Sequence, residues 1–332
     1  MSTSFDILIA SFNRSKDLKA CLESVMRQKT QSYSNIHLLL LRSDIESNKV
    51  ISEVKVSGIG VELVDAIPPP GKSRNLLVEA SSGEFKLFLD DDVELTENYL
   101  EEASKILTGN EFDVFGGSDS SIEKSSFKQE VIASVLGSYF VMGPTAIRHS
   151  KGKTKFKATE IDLTLCNLWV RSSLFEENTF DEVIMRCEEN ILLDHFAQHG
   201  VKMGYFSELT VKHKRRENFI DQAVIQYKSG YFRGVSFFME GVKFKLLFLL
   251  PIVTGLLIIL MPLIDFKISF SLIVLHTLFT IAVGINIFYK TNNILSLPLT
   301  WMYTVIIHVF FSIGIVCGST VGLKGRFVDR KY

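Results

Sequence analysis

Three adjacent carboxylates, Asp90, Asp91 and Asp92, follow directly on the apolar run Leu87-Phe88-Leu89. Carboxylates this close repel one another unless positive charge neutralises them, and hard oxygen donors select Mg2+, Mn2+ or Ca2+. A Mg2+ site takes one or two carboxylates and completes its shell with phosphate oxygens, so a cation here implies a phosphorylated substrate. If the run is a buried strand, Asp90 and Asp92 emerge at its carboxyl end, where open α/β sheets bind their ligands. The competing reading is a solvated acidic turn before a helix that starts near Glu97.

The elements that would hold the triplet alternate from the start of the chain. Phe5 to Ala10 reads as a strand, and Leu18, Cys21, Leu22, Val25 and Met26 then recur at helical spacing. Ile36 to Leu41 is a second strand, ending at Arg42-Ser43-Asp44, and Val61 to Val64 is a third. Pro68-Pro69-Pro70-Gly71 breaks the chain before a helix from about Ser73 to Ala80. After the acidic strand, Tyr99, Leu100, Ala103, Ile106 and Leu107 share a helix face, and Val114 to Gly117 is a further strand. Such alternation predicts a doubly wound α/β sheet with its ligand at the carboxyl edge.

A formal net charge of −1 over 332 residues argues against a nucleic-acid binder. Cys21, Cys166, Cys187 and Cys317 show no paired spacing, so reduced, buried thiols in a cytosol-facing protein are expected, with no structural zinc. The N-terminus lacks a basic stretch followed by an apolar core, so no cleaved signal peptide is expected.

After about residue 244 the composition turns to that of a membrane protein. Phe244 to Ile264, Ile268 to Tyr289 and Leu297 to Leu323 each approach the roughly 20 residues that cross a bilayer. His276 and His308 within them are expected to face neighbouring helices. Three full spans would carry Lys324, Arg326, Arg330 and Lys331 to the side opposite the N-terminal domain, against the positive-inside rule, so two to three spans are allowed for. Ahead of them Ile220, Val224, Tyr227, Tyr231, Val235, Phe238 and Val242 form one helical stripe, as in a helix lying in the bilayer interface. Gly230, Gly234 and Gly241 weaken that helix. A basic loop, Arg148 to Lys157, is either a solvated face or a contact for phosphate-bearing acceptors or anionic headgroups.

Residues 5 to 235 resemble the family 2 glycosyltransferases of the nucleotide-diphospho-sugar transferase fold known as GT-A. Ile7-Leu8-Ile9-Ala10-Ser11-Phe12-Asn13-Arg14 resembles the family's opening strand and turn, and Gly71-Lys72-Ser73-Arg74-Asn75 its helix start ahead of the acidic motif. Asn167-Leu168-Trp169-Val170-Arg171 resembles the short strand on the acceptor side. Phe180-Asp181-Glu182, followed by Cys187-Glu188-Glu189-Asn190, resembles the family's turn and later acidic pair.

The resemblance implies a nucleotide-sugar donor, with Mn2+ or Mg2+ held by Asp92 and His213. It implies a nucleotide pocket lined by Asn13, Arg14, Asp44, Arg74, Asp90 and Asp91, and an acceptor side of Asn167, Trp169 and Arg171. Transfer to a hydroxyl needs a carboxylate to take its proton. The family's base falls on Glu189, where Glu replaces the usual Asp and leaves Glu188 as the other candidate. Gly230-Tyr231-Phe232-Arg233-Gly234 stands where processive synthases carry Gln-x-x-Arg-Trp, so addition of one sugar is expected over polymerisation.

The expected organisation is a catalytic domain over 1–216, an amphipathic interfacial segment over 217–243, a transmembrane region over 244–323 and a basic tail over 324–332. The expected activity is an inverting, metal-dependent transfer from a UDP-linked sugar to a lipid-linked or envelope glycan acceptor at the cytosolic face of a bacterial inner membrane. The alternatives are a polyprenyl-phosphate sugar transferase and a membrane-anchored scaffold without turnover.

Overall fold

The computed structural model describes residues 4–28, 35–40, 45–56, 60–65, 68–122, 125–239 and 242–324. They form two units, one from 1–123 with 147–214, the other from 124–146 with 215–332. Residues 124–146 therefore leave the 1–216 block expected from sequence and join the helical unit.

In chain order, the first unit starts with β1 (Phe5–Ala10), α1 (Ser15–Met26), β2 (Asn35–Leu40), α2 (Ile45–Val56), β3 (Val61–Asp65) and α3 (Pro70–Ala80). It continues with β4 (Phe85–Asp90), β5 (Val93–Leu95), α4 (Tyr99–Gly109), β6 (Val114–Gly116) and β7 (Asp119–Ser121). The helical unit then takes α5 (Phe127–Leu136) and α6 (Tyr139–Met142). The chain returns for β8 (Asn167–Arg171), α7 (Glu188–Gln198), β9 (Met203–Tyr205) and β10 (Val211–His213).

The main sheet has the order β3-β2-β1-β4-β8-β6-β9, with β8 antiparallel to its neighbours β4 and β6. It is a mixed, doubly wound sheet of the GT-A type. Side chains alternate across β1 and β4: Phe5, Ile7, Ile9, Phe85, Leu87 and Leu89 enter one core, whereas Leu8 and Phe88 enter the core on the other face. Burial on both faces explains why these strands read as continuous apolar runs. Because β1 and β4 are parallel and Ala10 pairs with Asp90, the Ser11-to-Arg14 turn and the aspartate triplet leave the sheet side by side. A second sheet, β5-β10-β7, pairs His213 with Val93 and so sets the end of β10 beside Asp92.

The helical unit adds α8 (Phe219–Ser236), α9 (Leu249–Ile264), α10 (Phe266–Thr291) and α11 (Ser296–Leu323). Among the described residues two helices are long and apolar enough to cross a membrane, Phe270–Thr291 and Ser296–Leu323, and the bent pair Phe127–Leu136 and Tyr139–His149 passes the same test only as one broken span. These apolar helices support anchoring of the chain in a membrane through its helical unit. The first expected span, Phe244 to Ile264, holds the 3-10 turn Leu246–Phe248 and then α9, whose 16 residues leave it outside these two.

α8 and α11 pack against each other along their length. Phe219 stacks near Tyr303 at one end, with ring centroids 4.8 Å apart, and Phe238 lies against Gly322 at the other. Between them a Cβ on Gly230 or Gly234 would strike the main chain at Phe311 and Ile315, and one on Gly314 or Gly318 would strike it at Tyr227 and Tyr231. Small residues four apart on both helices let the backbones touch. The glycines that weaken α8 by propensity are thus its packing face. Gln222, Gln226 and Arg233 are buried, whereas Ile220 and Val224 of the expected apolar stripe are exposed. His276 and His308 face each other, with ring centroids 5.8 Å apart, as expected of polar residues between helices.

Candidate active site

Asn13 takes a left-handed backbone, φ 52°, directly after β1, and the turn aims Arg14 at the acidic triplet. One guanidinium nitrogen of Arg14, Nη1, donates to Asp91 Oδ1 and to Asp92 Oδ2, each at 2.8 Å. The other oxygen of Asp91 accepts the Ser11 hydroxyl at 2.8 Å. Asp91 is buried with both oxygens engaged, so it fastens the turn to the triplet. Burial pushes its pKa up to about 6 despite the Arg14 charge. Asp90 is also raised, by burial and then by Asp92, with His213 and Arg74 opposing and Glu189 adding to the shift.

His213 links the triplet to a residue that the motif pattern does not mark. Its Nε2 lies 3.2 Å from Asp92 Oδ1, and its Nδ1 lies 2.9 Å from Asp119 Oδ2. Asp119 is buried, and its other oxygen meets His149 Nδ1 at 2.8 Å. Burial pushes Asp92 up, but the His213 contact and the Arg14 charge outweigh it, and the net shift is downward.

Two donor sets therefore share His213, Asp90/Asp92/His213 and Asp119/Cys166/His213, each with its ligand atoms within 4.8 Å of one another. The first suits a divalent cation, having two hard carboxylates and an imidazole at a partly open edge. In the second, both Asp119 oxygens already hold imidazole nitrogens, and burial pushes the Cys166 thiol up to about 11, keeping it protonated. Asp119 then acts as the carboxylate behind a metal-binding histidine: with the proton on Nδ1, the Nε2 lone pair is presented to a cation.

The acidic pair is held from the opposite side. Asn75 on α3 donates to the carbonyl of Phe180 and to Glu182, each at 3.0 Å, and accepts from the Phe180 amide at 2.9 Å. Gly71 lies so close to Asp181 that a Cβ would strike its carbonyl. The two motif blocks are therefore one packed unit. Cys187, with φ 71°, then turns the chain into α7. Arg74 forms an ion pair with Glu188, which is buried, and burial raises the Glu188 carboxyl to about 7 against the pull of Arg74. Glu189 is half-buried, accepts from the Asn190 side chain at 2.8 Å, and lies near enough to Asp90 for its charge to be felt there.

The fold thus brings together Arg14, Arg74, Asp90, Asp91, Asp92, Glu188, Glu189 and His213, and adds Ser11 and Asp119. It sets the three residues expected on the acceptor side elsewhere. Trp169 is wholly buried between Phe5 and Phe115, its indole donating to Tyr99 at 2.9 Å. Asn167 is buried and bonded to Tyr99, Ser118 and Leu209. Arg171 pairs with Phe85, at the end of β4 remote from Asp90, and binds Glu84 and Asp113. Their placement is that of core and sheet-edge residues. Asp44 lies outside the described residues. In the basic loop, Arg148 reaches Asn190 and Lys155 binds Asp162, so both hold the loop to its own unit.

The profile of glycosyl transferase family 2 matches residues 6–178. No curated protein matches the chain. Among solved structures, the fragment 1-349 of S. aureus TarS in complex with UDP-GlcNAc is 14% identical over 68% of this chain and 66% of its own, with a TM-score of 0.49. The mannosyltransferase PcManGT from Pyrobaculum calidifontis, in complex with GDP-Man and Mn2+, is 10% identical over 97% of this chain and 87% of its own, with a TM-score of 0.59. At that identity the likeness concerns the fold alone.

Proposed function

The chain belongs to glycosyl transferase family 2, and on that premise we propose that it is an inverting, metal-dependent transferase moving one sugar from a UDP-linked donor to a lipid-linked or envelope glycan acceptor at the cytosolic face of the membrane. The observation that carries this reading is the Asp90/Asp92/His213 donor set at the sheet edge, backed by Asp119. Mn2+ or Mg2+ held there would offset the negative charge of the leaving diphosphate. The carboxylates suit a cation of the kind that accompanies GDP-Man in PcManGT.

The division of labour between the two glutamates follows from their contacts. Glu188 is tied to Arg74 and shut away from solvent, so it positions the arginine. Glu189 has a side chain open to an incoming hydroxyl and takes its proton. As the hydroxyl oxygen forms a bond to the anomeric carbon on one face, the bond to the diphosphate oxygen breaks on the other, and the nucleoside diphosphate leaves. Ile220 and Val224, exposed on α8 where it runs beside the apolar α11, suit contact with lipid, which would keep a lipid-borne acceptor within reach.

The test is a panel of nucleotide sugars presented to the detergent-solubilised full chain with a polyprenyl-linked glycan. Nucleotide release that requires a divalent cation and the glycan supports the reading. Release onto polyprenyl phosphate alone, surviving Glu189→Gln, would favour the phosphate-acceptor alternative, and no release from any donor would favour the scaffold.

A further inference from the structure

Arg233 has 8% of its surface exposed in α8, and its guanidinium nitrogens, which meet no carboxylate among the described residues, are not sealed from the outside. Its one contact of note is the face of the Phe248 ring, 4.7 Å from the guanidinium carbon. An aromatic face attracts the cation but satisfies none of its five N–H donors. A guanidinium so placed is complementary to a phosphate, which takes paired N–H bonds and supplies the missing charge.

The surroundings indicate where that phosphate comes from. Arg233 precedes Gly234, which packs at Ile315 and Ser319 of α11, and α11 ends at Leu323. At 1.5 Å per residue the arginine lies about 6–12 Å short of the end of an apolar spanning helix, at the depth of headgroups and the first methylenes. Phe238 packs on Gly322, so α8 and α11 finish together, with Lys243 and Lys245 following the one and Lys324 the other. Phe237, Phe244 and Phe248 form an aromatic cluster there, with centroids 4.8 and 5.9 Å apart. Cations grouped with aromatic rings at a span's end match an anionic headgroup above an acyl chain.

We propose that Arg233 anchors a binding site for the phosphate of a membrane lipid, with Phe248 as its floor and Lys243 and Lys245 at its mouth. The proposal rests on α10 and α11 lying in a membrane and not on sugar transfer, so the two readings fail separately.

The experiment titrates delipidated full-length protein in micelles with phosphatidic acid and follows the bound species by native mass spectrometry. Diacylglycerol with the same chains is the neutral control, and inorganic phosphate is the competitor. Wild type should bind phosphatidic acid over diacylglycerol, and Arg233→Gln should weaken that binding by about ten-fold or more, the usual worth of a charge-assisted pair. Arg233→Lys should recover part of it. Circular dichroism and the melting temperature report that each variant is folded, and the comparison of lipids on wild type needs no variant. Equal binding of the two lipids by wild type, or an unchanged affinity in a folded Arg233→Gln, overturns the site. Displacement of the lipid by equimolar inorganic phosphate would assign the site to a soluble anion instead.

Discussion

His213 stands between two carboxylates, with Nδ1 2.9 Å from Asp119 and Nε2 3.2 Å from Asp92. One imidazole therefore connects a buried acid on β7 to the acidic triplet after β4. If Asp119 sets the ring's tautomer, Asp119→Ala should weaken Mn2+ affinity by about 10- to 100-fold, the usual effect of removing such a support. Asp119→Asn should do less harm, because its carbonyl can still accept the Nδ1 proton. Electron paramagnetic resonance of free Mn2+ reads the affinity directly, and an unchanged affinity in Asp119→Ala would separate Asp119 from the site.

Asp91 gives the metal-free protein a pH dependence of defined sign. Its carboxyl is raised on folding to about 6, so the proton is held more tightly in the folded state. That contribution to stability is complete below about pH 4 and is lost as the pH rises through about 6. Melting temperatures in a chelator should therefore fall over this interval, and Asp91→Asn should flatten the slope. A stability that instead rose through the interval would contradict the burial of this carboxyl.

The glutamate pair should separate by phenotype. Glu189→Gln is expected to lower transfer by about 100-fold or more while leaving UDP affinity and melting near wild type. Glu188→Gln removes the charged partner of the half-buried Arg74 and should lower the melting temperature. The roles would be exchanged if Glu188→Gln proved stable and inactive while Glu189→Gln kept its rate.

At the helix pair, Gly318→Val would drive a side chain into the main chain at Tyr231. Overpacking of this kind costs about 1–3 kcal/mol. Limited proteolysis of the detergent-solubilised protein should show earlier cleavage around α8, and unaltered protection would mean that the two backbones are less closely packed than described.

What the sequence reveals depends on how local each device is. The acidic strand is legible because its apolar run, its turn and its three carboxylates are contiguous, and α3 is legible from Pro70 and Gly71. Asp119 is not, since its partner His213 lies 94 residues on and meets it only through the small β5-β10-β7 sheet. Trp169 is a related case: the family resemblance implies the acceptor side for it, and only the packing shows Phe5 and Phe115 enclosing it. In α8 the glycines count against a helix by propensity, and only the matching glycines on α11 reveal them as a contact surface. The transfer of residues 124–146 to the helical unit is a long-range outcome that no local pattern encodes.

The central claim is that a cation on Asp90, Asp92 and His213 is what lets the chain hold a nucleoside diphosphate. Calorimetry of UDP binding, with and without Mn2+, on wild type and on Asp92→Ala tests it most directly. The account predicts that Mn2+ raises UDP affinity for wild type by at least about ten-fold, as expected when diphosphate oxygens complete the cation's shell, and that Asp92→Ala loses this gain. UDP binding that is equally tight without the cation, or a gain that survives in Asp92→Ala, would contradict it.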